Sequence, residues 1–272
     1  MSRAPASLLA PVAALARRAA LEILAVYGSG QLAATLKADA SPLTHADTRA
    51  HGLIVAGLHA LAPAVPVLSE EGGVPAWAER RGWGRYWLVD PLDGTREFLA
   101  GNGEFTVNIA LIEAHRPVLG VVHVPVREVS YQGLPGAGAW RESGGVRTAL
   151  KVSPASATPV RVAASRSHRG SSLGAFLAQL GPHALLEVGS ALKFCLLAEG
   201  AADVYPRLGP TSEWDTAAAH AVLLGAGGEV RTLDGAPLHY NLRDSLINPH
   251  FVAFGPGDRD WLALTRTPAA PA

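Results

Sequence analysis

The sequence predicts a mixed α/β protein, with two helices against an antiparallel sheet in its first half and an α/β layer in its second. Three observations carry this. Apolar residues recur at helical spacing twice within the first 61 residues. Strand-prone runs joined by short turns then follow one another. Beyond residue 160, strand-like and helix-like stretches alternate. Residues 153–159, rich in Ser, Pro and Ala, mark the joint between an N-terminal lobe (1–155) and a C-terminal lobe (156–272).

Taken in order, Leu8, Val12, Leu15, Ala19, Ile23 and Val26 form the apolar stripe of a first helix that ends near Gly28 and Gly30. The acid-poor, Arg-containing start would also suit a transit peptide, but the stripe argues for an ordinary amphipathic helix. A polar stretch (37–41) leads to a second helix with Leu53, Ile54, Gly57, Leu58 and Leu61 on one face, stopped by Pro63. Thr44 and Asp47 have the spacing of a capping box at its start. Val65–Leu68 is an apolar run ending in Glu70 and Glu71, and residues 72–85 read as a loop. Strands are predicted over 105–112, 117–124 and 129–131, with a Gly/Pro loop at 133–138. In the second half the order is strand 160–164, helix 173–180, strand 185–188, helix 191–199, strand 202–205 and helix 216–224. A late strand (251–254) and a closing helix (258–264) complete it.

Composition limits function. The chain has 272 residues, 49% of them hydrophobic, enough for a large core. Lys+Arg and Asp+Glu both number 23, so no bulk field favours nucleic acid or an anionic membrane. A small anionic substrate would need local charge. The single Cys195 allows no internal disulfide and fits a reducing cytoplasm. No apolar run reaches the length of a membrane span.

The most informative stretch is Trp87-Leu88-Val89-Asp90-Pro91-Leu92-Asp93-Gly94-Thr95-Arg96-Glu97-Phe98. An apolar strand ends in a carboxylate, and Pro91 removes a ladder donor and stops the sheet. Asp90, Asp93 and the Leu92 carbonyl would offer oxygens to one hard cation. Gly94 permits close backbone approach, and N–H groups at a helix start suit a phosphate. The plainer alternative is an Asx-turn closing a strand. Trp214-Asp215-Thr216-Ala217-Ala218-Ala219-His220 places Asp215 directly before an Ala-rich helix, where an N-cap is the plain reading. Ser165-Arg166-Ser167-His168, Gly189-Ser190-Ala191-Leu192-Lys193-Phe194-Cys195 and Tyr205-Pro206-Arg207-Leu208-Gly209-Pro210 each stand at a strand end, where α/β sheets bind ligands.

The Asp-Pro-Leu-Asp-Gly-Thr string and the distant Trp-Asp before a small-residue helix resemble the paired signatures of the inositol monophosphatase family. The three strand-end segments, with Asn102-Gly103-Glu104-Phe105-Thr106-Val107-Asn108, are similar to its bisphosphate nucleotidase branch. Arg96 stands where Lys is usual and Ala218 where Gly is common; neither is a metal ligand. The resemblance implies a layered α-β-α-β-α sandwich with a metal site between two lobes. It implies two or three Mg²⁺ held by Glu70, Asp90, Asp93, Asp215 and the Leu92 carbonyl. Asp47 and Thr95, with Glu70, would orient or deprotonate the attacking water. Gly94 and Thr95 would hold the phosphoryl oxygens, and Asp215 would also touch the substrate hydroxyl. Ser190, Lys193, Arg207 and His168 would grip the rest of a nucleotide. The implied substrate is adenosine 3',5'-bisphosphate. An inositol or sugar monophosphatase and a non-catalytic metal-binding protein are the alternatives. A homodimer occurs in parts of the family.

Overall fold

Helix α1 (Pro5–Gly28) opens with proline at its first turn, where the missing N–H costs nothing. All six residues of its expected stripe are buried. The computed structural model describes residues 3–29, 34–36, 42–154, 158–166 and 171–266; the polar stretch 37–41 and His168 lie outside them. A short hairpin, β1 (Ala34–Leu36) with β2 (Pro42–Thr44), precedes α2 (His45–Leu61).

The large sheet has seven strands in sequence order: β3 (Val67–Ser69), β4 (Arg85–Asp93), β5 (Thr106–Glu113), β6 (Arg116–Val124), β7 (Val129–Leu134), β8 (Gly138–Ser143) and β9 (Val146–Ala149). The expected antiparallel sheet holds except at one edge, where β3 runs parallel to β4. Parallel neighbours need a crossover. Residues 70–84 supply it, so this segment, expected to be a plain loop, carries the short helix α3 (Trp77–Arg80). The short helix α4 (Thr95–Leu99) follows β4 directly. The expected Gly/Pro loop shrinks to a turn at 135–137, because β7 and β8 pair as far as Leu134 and Gly138.

The second sheet has the order β11-β10-β12-β14-β13, from β10 (Val160–Ser165), β11 (His183–Val188), β12 (Val204–Arg207), β13 (Glu229–Thr232) and β14 (Phe251–Phe254). β10 lies parallel to β11 and β12, and β14 runs antiparallel to its neighbours β12 and β13. Helices α5 (Ser171–Leu180), α6 (Leu192–Ala198) and α7 (Glu213–Gly225) flank it. Residues 258–264 do not form the expected helix; only a 3₁₀ turn, Ala263–Thr265, is present. The Asp260 carboxylate accepts from the N–H groups of Leu262 and Ala263 at 3.1 and 3.0 Å, offering the backbone a local turn in place of helix.

The five layers follow from the burial pattern. Along β5, Val107, Ile109 and Leu111 pack in one core with α1 and α2, whereas Ala110 and Ile112 belong to a second core with α6 and α7. A sheet covered on both faces reads as a continuous apolar run. The second core extends to the inner face of the small sheet, and a third core lies between its outer face and α5. The order is therefore α-β-α-β-α, with α7 in the central layer.

Helix α7 lies unusually close to the large sheet. A Cβ at Gly120 would fall 2.1 Å from the Ala218 carbonyl oxygen, and one at Gly133 would fall 2.4 Å from Val222 Cα. Small residues on both surfaces set this spacing. Gly120→Ala must therefore displace backbone and is expected to destabilise by about 3 kcal/mol in chemical unfolding. Gly52, inside α2 with nothing near its added Cβ, is the control; Gly52→Ala should stabilise by up to about 1 kcal/mol. Equal, small effects at the two sites would contradict the close-packing account.

Candidate active site

Side-chain alternation decides which way the acids at the end of β4 point. Tyr86 and Leu88 face the α7 side, so Asp90, two residues on, faces it too. Asp93 is an odd number of residues away and would face the opposite layer in a regular strand. The β4–β5 register shifts between Asp90 and Asp93, which lets both acids share one side. Pro91 thus interrupts the ladder without ending the strand, contrary to expectation. Asp90 Oδ1 accepts from Leu92 N–H at 3.0 Å, so the Asx-turn is also real.

Asp215 arrives from the opposite layer on α7. Carboxylate oxygens of Asp90, Asp93 and Asp215 lie within 4.8 Å of one another. Glu70 follows β3, whose parallel register aligns Ser69 with Val89. Its N–H donates to the Val89 carbonyl at 3.1 Å, and its carboxyl reaches Asp90. It is therefore beside the cluster while standing outside the three-residue convergence.

Asp47 and Asp215 use one device. Asp47 closes the capping box of α2, with Oδ2 accepting from Thr44 N–H at 2.8 Å and Thr44 Oγ1 at 2.6 Å. Its Oδ1 lies 3.5 Å from Thr95 Oγ1, which is also 3.4 Å from the Leu92 carbonyl oxygen. One hydroxyl proton can serve only one of these acceptors at a time. Asp215 is not the N-cap of α7; the helix starts earlier, with Ser212 as cap and Asp215 at the third position. Its Oδ2 accepts from Ser212 N–H at 2.9 Å and Thr211 Oγ1 at 2.7 Å. In both helices one carboxylate oxygen caps the helix and so fixes where the second points.

A cavity of about 240 Å³ opens beside the cluster. Asp93, Gly94, Thr95, Asp215, Ser190, Lys193 and Arg207 are among the residues that line it. Gly94 has φ 89°, a left-handed conformation natural to glycine. Ser190 has φ 45°, and its buried Oγ has no hydrogen-bond partner. Arg207 Nε is likewise buried and unpartnered, while its Nη2 donates to the Pro210 carbonyl. Lys193, on α6, donates to the Ser190 carbonyl.

Asn108, to which the sequence assigns no role of its own, supports the cluster from behind. It donates to Asp93 Oδ2 at 3.2 Å and accepts from Thr106 Oγ1 at 2.9 Å, and both residues are buried. The signal was available: two polar residues two apart on one face of an otherwise apolar strand. Cys195 packs in the central core, as expected.

Burial and then the neighbouring carboxylates push Asp90 well above the ordinary carboxylate range. Asp93 is pushed up to about 7 by burial and Asp215, against the pull of Lys193 and Asn108. Burial also raises Asp215, opposed by Thr211 and Ser212. Lys193 is lowered to about 8 by burial, which outweighs the attraction of Asp93. The acids thus outnumber the two cations that face them, Lys193 and Arg207. An oxygen-only donor set with an Asn behind one carboxylate suits a hard divalent cation and not a softer, nitrogen- or sulfur-seeking one.

The sequence profile of the inositol monophosphatase family matches residues 5–259. The chain belongs to that family, which is metal-dependent. It is 52% identical to the 3'(2'),5'-bisphosphate nucleotidase CysQ of Escherichia coli K12 over 245 residues, covering 90% of this chain and 98% of that protein. A relative of the same name from Haemophilus influenzae is 38% identical, covering 86% and 88%. Among solved structures, CysQ from Bacteroides thetaiotaomicron superposes with TM-score 0.81 at 41% identity, covering 92% of this chain and 97% of that one. The suhB protein of Bartonella henselae shares the fold, with TM-score 0.77 at 23% identity over 95% and 97% of the two chains.

A buried carboxylate whose folded pKa exceeds its unfolded value favours the fold only while protonated. The stability it allows is present below about 4 and is lost as pH rises through about 7. In the presence of a chelator, Asp93→Asn is therefore expected to raise the melting temperature at pH 8, by the equivalent of about 1 kcal/mol or more. At pH 5 the gain should shrink. Thermal unfolding at the two pH values checks this; a variant less stable than wild type at pH 8 would contradict the electrostatics.

Proposed function

We propose that the protein is a Mg²⁺-dependent 3'(2'),5'-bisphosphate nucleotidase, removing the 3'-phosphate of adenosine 3',5'-bisphosphate to give AMP and phosphate. The observation that carries this reading is one cavity lined both by two acids of the cluster, Asp93 and Asp215, and by Ser190, Lys193 and Arg207. The acids, with the cations they hold, suit the ester to be cleaved, and the second set suits a further anionic group. The relatives named as bisphosphate nucleotidases, from Escherichia coli and Haemophilus influenzae, support the same substrate class.

Glu70, Asp90, Asp93, Asp215 and the Leu92 carbonyl would hold two or three Mg²⁺. When bound, the ions lower the pKa of a coordinated water and offset charge on the leaving oxygen. Thr95 donates its proton to Asp47 Oδ1 and presents its own lone pair to the attacking water. Asp47, held rigidly by the Thr44 cap, keeps Thr95 in that orientation. The N–H groups of Gly94 and Thr95 receive the phosphoryl oxygens. Asp215 touches the sugar hydroxyl. Ser190 Oγ, Lys193 Nζ and Arg207 hold the 5'-phosphate; His168 is assigned to the same group. No protein nucleophile is involved, and water supplies the oxygen that replaces the ribose oxygen on phosphorus. The single cysteine fits a reducing cytoplasm as the site of action.

A substrate panel with Mg²⁺ tests the assignment. Adenosine 3',5'-bisphosphate should be turned over with kcat/KM well above that for inositol 1-phosphate; the reverse order would make the protein an inositol phosphatase. Arg207→Ala should raise KM for the bisphosphate roughly 10- to 100-fold with kcat changed far less, because it removes ground-state binding. Asp93→Asn should lower kcat by at least about 10³-fold.

A further inference from the structure

Glu104, in the loop before β5, makes contacts that the reaction described above does not use. Its carboxylate accepts from Arg166 Nε at 3.0 Å, Arg166 Nη2 at 2.9 Å and Gly189 N–H at 2.8 Å. Arg166 follows β10, and its Nη2 also donates to the Glu187 carbonyl of β11 at 2.8 Å. One side chain from the first half of the chain therefore ties down the ends of two strands from the second.

What these bonds hold is the turn at Gly189 and Ser190. A Cβ at Gly189 would lie 2.7 Å from Glu97 Cγ and 2.8 Å from the Glu104 carbonyl oxygen, so the backbone is pressed against the first half. Ser190, next in the chain, has φ 45° and a buried Oγ without a partner, on the cavity wall. A serine in the left-handed region persists only where its surroundings impose it. Here the Gly189 N–H is fixed to Glu104 on one side, and the Ser190 carbonyl accepts from Lys193 on the other. The Arg166 side chain is 48% exposed, so the pair is better suited to setting geometry than to stabilising the fold.

We propose that Glu104, with Arg166, is a positioning residue for the subsite that takes the uncleaved phosphate. By fixing the Gly189–Ser190 turn it aims Ser190 Oγ and the Lys193 ammonium, and so sets the preference for bisphosphates over monophosphates. The proposal rests on the nucleotidase reading above, in which Ser190, Lys193 and Arg207 meet that phosphate.

The test measures kcat and KM on adenosine 3',5'-bisphosphate and on 3'-AMP, which lacks the second phosphate. Wild type, Glu104→Gln and Arg166→Ala are compared, with thermal unfolding as the check of folding. A wild type that does not favour the bisphosphate overturns the subsite assignment itself. Given that preference, the proposal expects both variants to lower the bisphosphate-to-monophosphate ratio of kcat/KM roughly tenfold or more, chiefly through KM for the bisphosphate. Equal losses on both substrates, or an unchanged ratio, would reduce Glu104 to a structural role and overturn it. Should Glu104→Gln fail to fold, Arg166→Ala decides, because it releases the Glu104 carboxylate from the paired bonds that aim it at Gly189 while keeping the carboxylate itself.

Discussion

Carboxylates at positions 90, 93 and 215 are held within 4.8 Å of one another, Asp90 buried and the other two half-buried, with Lys193 nearby as one partial countercharge. Repulsion and desolvation both oppose that arrangement. It persists because each acid is fixed by groups that have no freedom to let it go. Asp90 is bonded to the backbone of its own turn, Asp93 to Asn108, and Asp215 to the first turn of α7. The surrounding fold is the apparatus that keeps these like charges together, and a divalent cation is the natural means of offsetting them.

The five layers serve that end. The large sheet offers its acids on the face turned toward α7, and glycines at positions 120 and 133 let α7 approach until Asp215 meets them. Capping boxes at α2 and α7 make the helix starts depend on Asp47 and Asp215. A residue needed for the cap is thereby also oriented for chemistry. The structural and functional readings of these two aspartates are the same hydrogen bonds seen from two sides.

Much of this was legible in the chain. The strand ending in Asp90-Pro91-Leu92-Asp93-Gly94-Thr95 announces itself, since an apolar run stopping on two acids, a proline and a glycine has few structural uses. The amphipathic stripe of α1 and the strand–helix alternation after residue 160 were equally plain. What stayed hidden depends on pairing across long separations. The parallel edge strand β3 cannot be told from an antiparallel one by its own residues. The register shift that brings Asp93 to the side of Asp90 is a property of β4 and β5 together. Glu104 reads as an ordinary loop acid until Arg166 and Gly189 are placed beside it. Helix α7 starts at Glu213, three residues before the expected 216; an Ala-rich run reads as helix more strongly than the Ser-Glu-Trp before it.

The central claim is that these acids share a divalent cation, and proton linkage tests it most directly. A cation entering a site whose Asp93 titrates near 7 must displace a proton. Calorimetric titration of the metal-free protein with Mg²⁺ at pH 6.5, in two buffers of different ionisation enthalpy, measures that release. The account predicts uptake of Mg²⁺ with protons released at pH 6.5 and a smaller release at pH 8, where Asp93 has already ionised. Binding without proton release at pH 6.5, or no binding at millimolar Mg²⁺, would contradict it.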